Sequence, residues 1–225
     1  LPNEFGLVSI GDFAKVRTMN HLPNSLGMTS AMGVPATNQA VPAARIHTLS
    51  RRFFWFIGLA AMGSALDLWT KHLVFASPRF FHGNEWWLWE GHIGIQKSLN
   101  EGALFGMGQG QVAIFALFSV VAAIAIPTWL FWFRAAEDFW LTTILGVIMG
   151  GVIGNFFDRM GFHGMQWDAF DPQRAGQPIH AVRDWILFQI NDQWIWPNFN
   201  IADSLLVVGA IALFLRSLMI SEPTG

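Results

Sequence analysis

The sequence predicts an all-α polytopic membrane protein, four transmembrane helices with a small extracytoplasmic loop region of partly β or amphipathic character. Three observations predict it. Only 12% of the residues are charged while 53% are hydrophobic, whereas soluble domains carry about 25% charged residues. Four apolar segments approach the roughly 20 residues that cross the hydrocarbon core. The polar residues that interrupt those segments stand at their ends.

Residues 1–50 are rich in Gly, Pro, Asn, Ser and Thr and lack both periodicity and the apolar core of a secretory signal. Their composition predicts a disordered extension, with the membrane domain over 51–220. The first span, 53–70, is free of charge until Asp67, and Lys71 follows at the helical i,i+4 spacing. The second, 112–133, carries no charge, and its Pro127 is tolerable where neighbouring helices satisfy the freed carbonyl. Residues 134–138, "RAAED", make a tight turn into the third span, 139–157, again without charge. The fourth, 199–218, opens on Asn200 and Asp203, three apart on one helical face. The first and fourth reach spanning length only by including their polar ends, which places those ends near the interface and inside the bundle.

Chain parity then gathers the polar residues. Alternating crossings put both long loops, 71–111 and 158–198, on one side of the membrane. Asp67, Asn100, Asn155, Asp158, Asp184, Asn200 and Asp203 fall on that same side. Arg45, Arg51, Arg52, Arg134 and Arg216 fall on the other, which the positive-inside rule makes cytoplasmic, with both termini.

Several function classes drop out. The chain has no cysteine, which removes disulfides, thiol nucleophiles and thiolate metal sites. A net charge of −2 without a basic block gives no nucleic-acid partner. Neither a His-Glu-x-x-His metal motif nor a Gly-x-Ser-x-Gly elbow occurs, and Ser204 lacks an evident His base. The Gly-rich segment 98–110, "SLNEGALFGMGQG", lacks the Lys-Ser/Thr ending of a phosphate loop. It suits close approach to a substrate backbone instead.

Gly146, Gly150 and Gly154 form a small-residue stripe on the third span that lets another helix pack closely. Such packing would fix Asn155 and Asp158 at the end of that helix. Their Asn-x-x-Asp spacing recurs in Asn200 and Asp203, and facing polar pairs in a bundle mark a site. Asp184 lies in the alternating stretch 181–190. Two carboxylates held together share a proton, so one can activate water while the other donates a proton to the attacked carbonyl. The pattern leaves open which two of Asp158, Asp184 and Asp203 would form that pair.

"DLWTK", "NEGALFG", "GGVIGNFFDR", "VRDW" and "FNIADS" occur in the order and spacing of the lipoprotein signal peptidases (signal peptidase II), and the chain resembles that family over about residues 53–219. The resemblance implies a membrane aspartic endopeptidase with Asp184 and Asp203 as the catalytic pair. Asn100, Gly102, Asn155, Asp158, Arg159 and Asn200 would position the pair and the substrate, with Asp67 and Lys71 as structural support. It implies lipid-modified prolipoproteins as substrates, cut before the lipidated Cys, contact with membrane lipids, inhibition by a globomycin-type compound, and no metal or other cofactor. It also implies the bacterial inner membrane, with the site on the extracytoplasmic face. The Trp-rich loop 72–98 would supply an interfacial surface for such a substrate.

Three features depart from the family pattern, one of them the N-terminal extension, 1–50. Arg183 replaces an apolar residue just before Asp184, and alternation is expected to send its side chain the other way. The connection 160–181 is longer than usual and contains Asp168, Asp171 and Arg174. Two rivals belong to other classes. A proton-coupled transporter predicts polar residues through the depth of the bundle, yet the second and third spans offer only Thr142 and Thr143, at the far end. A non-catalytic lipid- or lipoprotein-binding protein predicts that the aspartates are dispensable.

Overall fold

The structure is a computed structural model that describes residues 43–81, 83–102, 108–168, 171–191 and 193–220. Its helices are α1 (Ala43–Ala76), α2 (Val112–Pro127), α3 (Phe139–Arg159) and α4 (Ile201–Ile220). Within them four stretches are long and apolar enough to cross a membrane: His47–Ala76, Val112–Trp132, Phe139–Arg159 and Ile201–Met219.

The first element differs most from the sequence expectation of 53–70. The helix α1 runs from Ala43 to Ala76 without a break. Hydropathy ends the span at residue 70, but Asp67 and Lys71 find buried partners in neighbouring elements, so the helix continues past them. Of the expected disordered extension, residues 1–42 lie outside the described residues, and 43–50 are helical.

Each turn has a local cause. After Pro127 the second span widens into a π turn, Thr128–Trp132, closed by the Phe133 amide on the Thr128 carbonyl at 3.3 Å. Arg134 then takes a left-handed conformation (φ 62°), which stops the helix. Asp138 caps α3 by accepting from the Leu141 amide at 3.1 Å and pairs with Arg216 from the end of α4.

The glycine stripe is where α3 meets α1. A Cβ on Gly150 would lie 3.1 Å from the Cα of Gly63 and 3.2 Å from the Ala60 carbonyl. One on Gly154 would run into the Asp67 carboxylate. A second small-residue contact, Gly151 against the Ala202 carbonyl, seats α4 on α3. Thus α3 packs against α1, α4 and α2 and carries nine buried residues, while α2 carries none.

The two long loops fold together. Strands β1 (Trp86–Trp89) and β2 (Ile93–Asn100) come from the first, β3 (Val182–Asn191) and β4 (Trp194–Phe199) from the second, in one antiparallel sheet of order β1-β2-β3-β4. The β2–β3 register sets Ser98 opposite Asp184 and Asn100 opposite Val182. Trp89, Trp194, Trp196, Phe188 and Ile190 stay exposed on the sheet, an amphipathic surface of the kind expected of this region. Because β4 ends at Phe199 and α4 begins at Ile201, Asn200 is fixed at the junction of sheet and bundle.

Candidate active site

The site begins at that junction. Asn200 is the N-cap of α4, and its side-chain oxygen accepts from the Asp203 amide at 2.9 Å. Asp203 answers by accepting the Asn200 amide on Oδ2 at 3.2 Å. This reciprocal arrangement is a capping box, which satisfies two orphan donors of the helix end. One Asn-x-x-Asp spacing therefore starts the helix and aims a carboxylate into the bundle.

The matching pair on α3 faces it. Asn155 Nδ2 donates to Asp203 Oδ1 at 2.8 Å, and its Oδ1 accepts from Asn200 Nδ2 at 3.2 Å. Asn200 Nδ2 also donates to Asp184 Oδ1 at 2.6 Å, and Asn100 Nδ2 donates to Asp184 Oδ2 at 3.1 Å. Asp184 and Asp203 are both buried, and their side-chain oxygens meet neutral amide donors. Burial, with the Asp203 carboxylate close by, pushes the Asp184 carboxyl up to about 8, against the pull of Lys71 and the two amides.

A second half of the network lies behind Asn155. Lys71, fully buried, donates to Asp67 Oδ2 (2.7 Å) and Asn155 Oδ1 (3.0 Å) and forms an ion pair with Asp158 Oδ2 at 3.1 Å. The other Asp67 oxygen accepts from the Ala202 amide at 2.9 Å, which ties α1 to the first turn of α4. Asp158 is gripped further by Arg183, through Nη2 at 2.7 Å, Nε at 3.1 Å and the backbone amide at 3.0 Å. Two cations hold Asp158 as a charge-assisted structural anion, with both Arg183 side-chain donors on its Oδ1.

The strand β3 separates these halves. Alternation sends Arg183 to Asp158 and Asp184 to the asparagines, as the sequence expects. The Arg183 side chain is nonetheless buried, because β3 packs against both α1 and α3. Its partnership with Asp158 was missed in the sequence, where the adjacent Arg159 is the nearer candidate. Arg159 instead reaches the Gly102 carbonyl at 3.0 Å. The Gly102 amide donates to Asn100 Oδ1 at 2.9 Å, and Gln109, also missed, donates to the same oxygen at 3.2 Å. Asn100 is thus turned so that its NH₂ faces Asp184. Residues 103–107 of the Gly-rich segment lie outside the described residues.

Beside Asp184 a cleft of about 120 Å³ opens between Ser98, Asn100, Gln109, Pro197 and Asn198. The long connection after α3 docks at its rim. Arg174 pairs with Asp171 at 2.7 Å and Glu101 at 2.8 Å, and lies 3.7 Å above the Trp167 ring. Asp168 lies in the same connection. All ten residues singled out in the sequence, Asp67, Lys71, Asn100, Gly102, Asn155, Asp158, Arg159, Asp184, Asn200 and Asp203, belong to this one connected set of contacts. Among the described residues no three His, Asp or Glu side chains could jointly hold a metal ion.

Comparisons with known proteins identify the family. A family profile described as Signal peptidase (SPase) II matches residues 59–219. The chain is 47% identical over 206 residues to a lipoprotein signal peptidase of Rhodopirellula baltica, covering 91% of this chain and 83% of that protein. A match of that length reaches into residues 1–50. Identity to the lipoprotein signal peptidase of Geobacillus thermodenitrificans is 35% over 166 residues, 73% of this chain and 90% of that one. A bacterial membrane enzyme solved by the in meso method at 2.3 Å resolution shares the fold, with a TM-score of 0.60 at 22% identity, covering 76% of this chain and 91% of the other.

Proposed function

The chain belongs to the signal peptidase II family, and from that premise we propose that it is a membrane aspartic endopeptidase acting on diacylglyceryl-modified prolipoproteins. In this reading Asp184 and Asp203 are the catalytic pair, and the bond cut is the one before the lipidated Cys. The observation that carries the assignment is the difference in partners among the buried carboxylates. Asp158 and Asp67 both face the Lys71 cation, and Asp158 faces Arg183 as well, so both are taken up in structural ion pairs. Asp184 and Asp203 meet neutral donors and lie near enough to raise the proton affinity of Asp184.

The chemistry follows from one shared proton. At neutral pH the pair holds it, with Asp184 the group pushed toward retaining it. The ionised partner removes a proton from a water molecule, whose oxygen adds to the scissile carbonyl carbon. The protonated partner gives its proton to the carbonyl oxygen, which avoids a bare oxyanion. Collapse breaks the C–N bond as a proton passes to the leaving nitrogen, and the pair is left again with one proton. Asn155, Asn200 and Asn100 fix the carboxyl planes. Arg159 and Gly102 hold the loop beside the cleft for the peptide backbone.

Orientation belongs to the same proposal: termini cytoplasmic, site extracytoplasmic, in the bacterial inner membrane. The exposed Trp residues of the sheet then lie where a lipid-anchored substrate arrives, and a globomycin-type inhibitor would occupy the same cleft. The transporter reading finds less support. The buried polar network is at the sheet end, while Thr142 bonds within its own helix turn at the other end.

The test is cleavage of a lipidated prolipoprotein by the purified protein in detergent, with the product mass read out. The reading expects a fragment that begins at the lipidated Cys, and none with Asp203→Asn. Cleavage at another bond would move the substrate assignment. Equal product from both proteins would end the aspartic mechanism.

A further inference from the structure

At the opposite end of the bundle the first turns of α1 and α3 enclose a cavity of about 360 Å³, lined by Thr48, Arg51, Arg52, Trp55 and Phe139. Arg52 lies 19 residues before Lys71 on one helix, so this cavity is about 28 Å from the catalytic network along the axis. Its chemistry is separate from the site described above.

Among the described residues two adjacent arginines are its only charged lining groups. Among the described residues neither Arg51 nor Arg52 has an ion-pair or hydrogen-bond partner, and Arg52 Nε is shielded from solvent without one. The carboxylate of Asp138, next to Phe139 in the chain, is committed to Arg216 and to the Leu141 amide. Such a pair of fixed positive charges calls for an anion.

The walls are built rather than loose. The Arg52 guanidinium lies 4.4 Å over the Phe139 ring, which sets the plane of its fork. The Trp55 indole NH donates to Thr143 Oγ1 at 3.0 Å, and its ring lies 6.0 Å from Phe139. A fork with fixed orientation presents paired N–H groups suited to two phosphate oxygens.

Position selects the kind of phosphate. The cavity stands at the head of two membrane-length stretches, His47–Ala76 and Phe139–Arg159, at headgroup level. Phe54, Trp132, Phe133 and Trp140 are exposed at the same end and offer apolar surface to acyl chains. We propose that Arg51 and Arg52, walled by Trp55 and Phe139, bind the phosphodiester of an anionic phospholipid. The lipid clamps the starts of α1 and α3 together.

The test is native mass spectrometry of the full chain in detergent, titrated with phosphatidylglycerol, phosphatidylcholine or inorganic phosphate. The wild type should prefer phosphatidylglycerol over phosphatidylcholine by about tenfold or more, since charge-assisted hydrogen bonds reward the unmasked phosphate. The double variant Arg51→Gln, Arg52→Gln should lose that preference. Arg134→Gln, an exposed arginine at the same end but off the cavity, should keep it. Should the double variant fail to fold, Arg52→Gln alone carries the test, with a loss of about threefold or more expected. Equal binding of the two lipids, an unchanged preference in the folded Gln variant, or loss of preference in Arg134→Gln would overturn the proposal. Displacement of phosphatidylglycerol by equimolar phosphate would also overturn it, in favour of a free-anion site.

Discussion

Asn155 divides four buried aspartates into two halves that differ in what surrounds them. Its carbonyl oxygen meets Lys71, which also holds Asp67 and Asp158. Its NH₂ group meets Asp203, whose neighbour Asp184 is held by Asn100 and Asn200. Burial is similar on both sides, so desolvation alone separates nothing. The cationic half compensates its charge locally and builds structure. The amide half has no such cation among its hydrogen-bond partners, and the proposed mechanism gives it a shared proton.

That comparison can be broken by exchanging oxygens for amides. Asp184→Asn and Asp203→Asn should each lower turnover by about 10³-fold or more, since each removes a proton-transfer partner. Cleavage of a lipidated prolipoprotein measures this, with melting temperature as the check on folding. Asp158→Asn should behave in the opposite sense. It leaves Lys71 and Arg183 undercompensated in a dry interior, which costs about 3–5 kcal/mol of stability. Thermal melting should show the loss, while the fraction still folded keeps most of its activity.

The pH dependence sharpens the same contrast. The Asp184 carboxyl is pushed up to about 8, so the proposed catalytic pair should keep its proton at neutral pH and lose it above that value. The kcat/KM profile should therefore fall on the alkaline side around pH 8. It should also fall at acid pH, where a second proton enters the pair. For stability the sign is equally defined. A carboxyl raised from 3.8 binds its proton more tightly when folded, so its contribution falls as pH rises between those two values.

Smaller effects belong to the scaffold. Gly154→Ala forces a methyl against the Asp67 carboxylate and should cost about 1–3 kcal/mol by overpacking, again by thermal melting. Arg174→Ala removes a partly exposed pair with Glu101 and should shift the melting temperature least of these variants.

Much of this was legible in the sequence because it rests on local signals. Hydropathy located the four spans, the glycine stripe foretold the α3 interface, and chain parity gathered the polar ends on one side. The capping box was present as Asn200 and Asp203, although its dual use becomes clear only where Asn155 faces it. The rest depends on long-range pairing. Nothing local to Arg183 indicates that it serves Asp158, 25 residues earlier in the chain, since that partnership follows from how β3 docks on the end of α3. The reach of α1 beyond residue 70 was hidden for the same reason, because a helix passes through polar residues only when distant groups satisfy them.

The central claim is that the amide half carries a proton at neutral pH and the cationic half does not. Infrared difference spectroscopy between pH 6 and about pH 10 tests it directly, since exposed carboxylates are already ionised across that range. The wild type should show one protonated-carboxyl carbonyl band that disappears with alkalinity. Asp184→Asn should abolish the band, and Asp158→Asn should keep it. A wild type without the band, or a band that survives Asp184→Asn and vanishes in Asp158→Asn, would contradict the account.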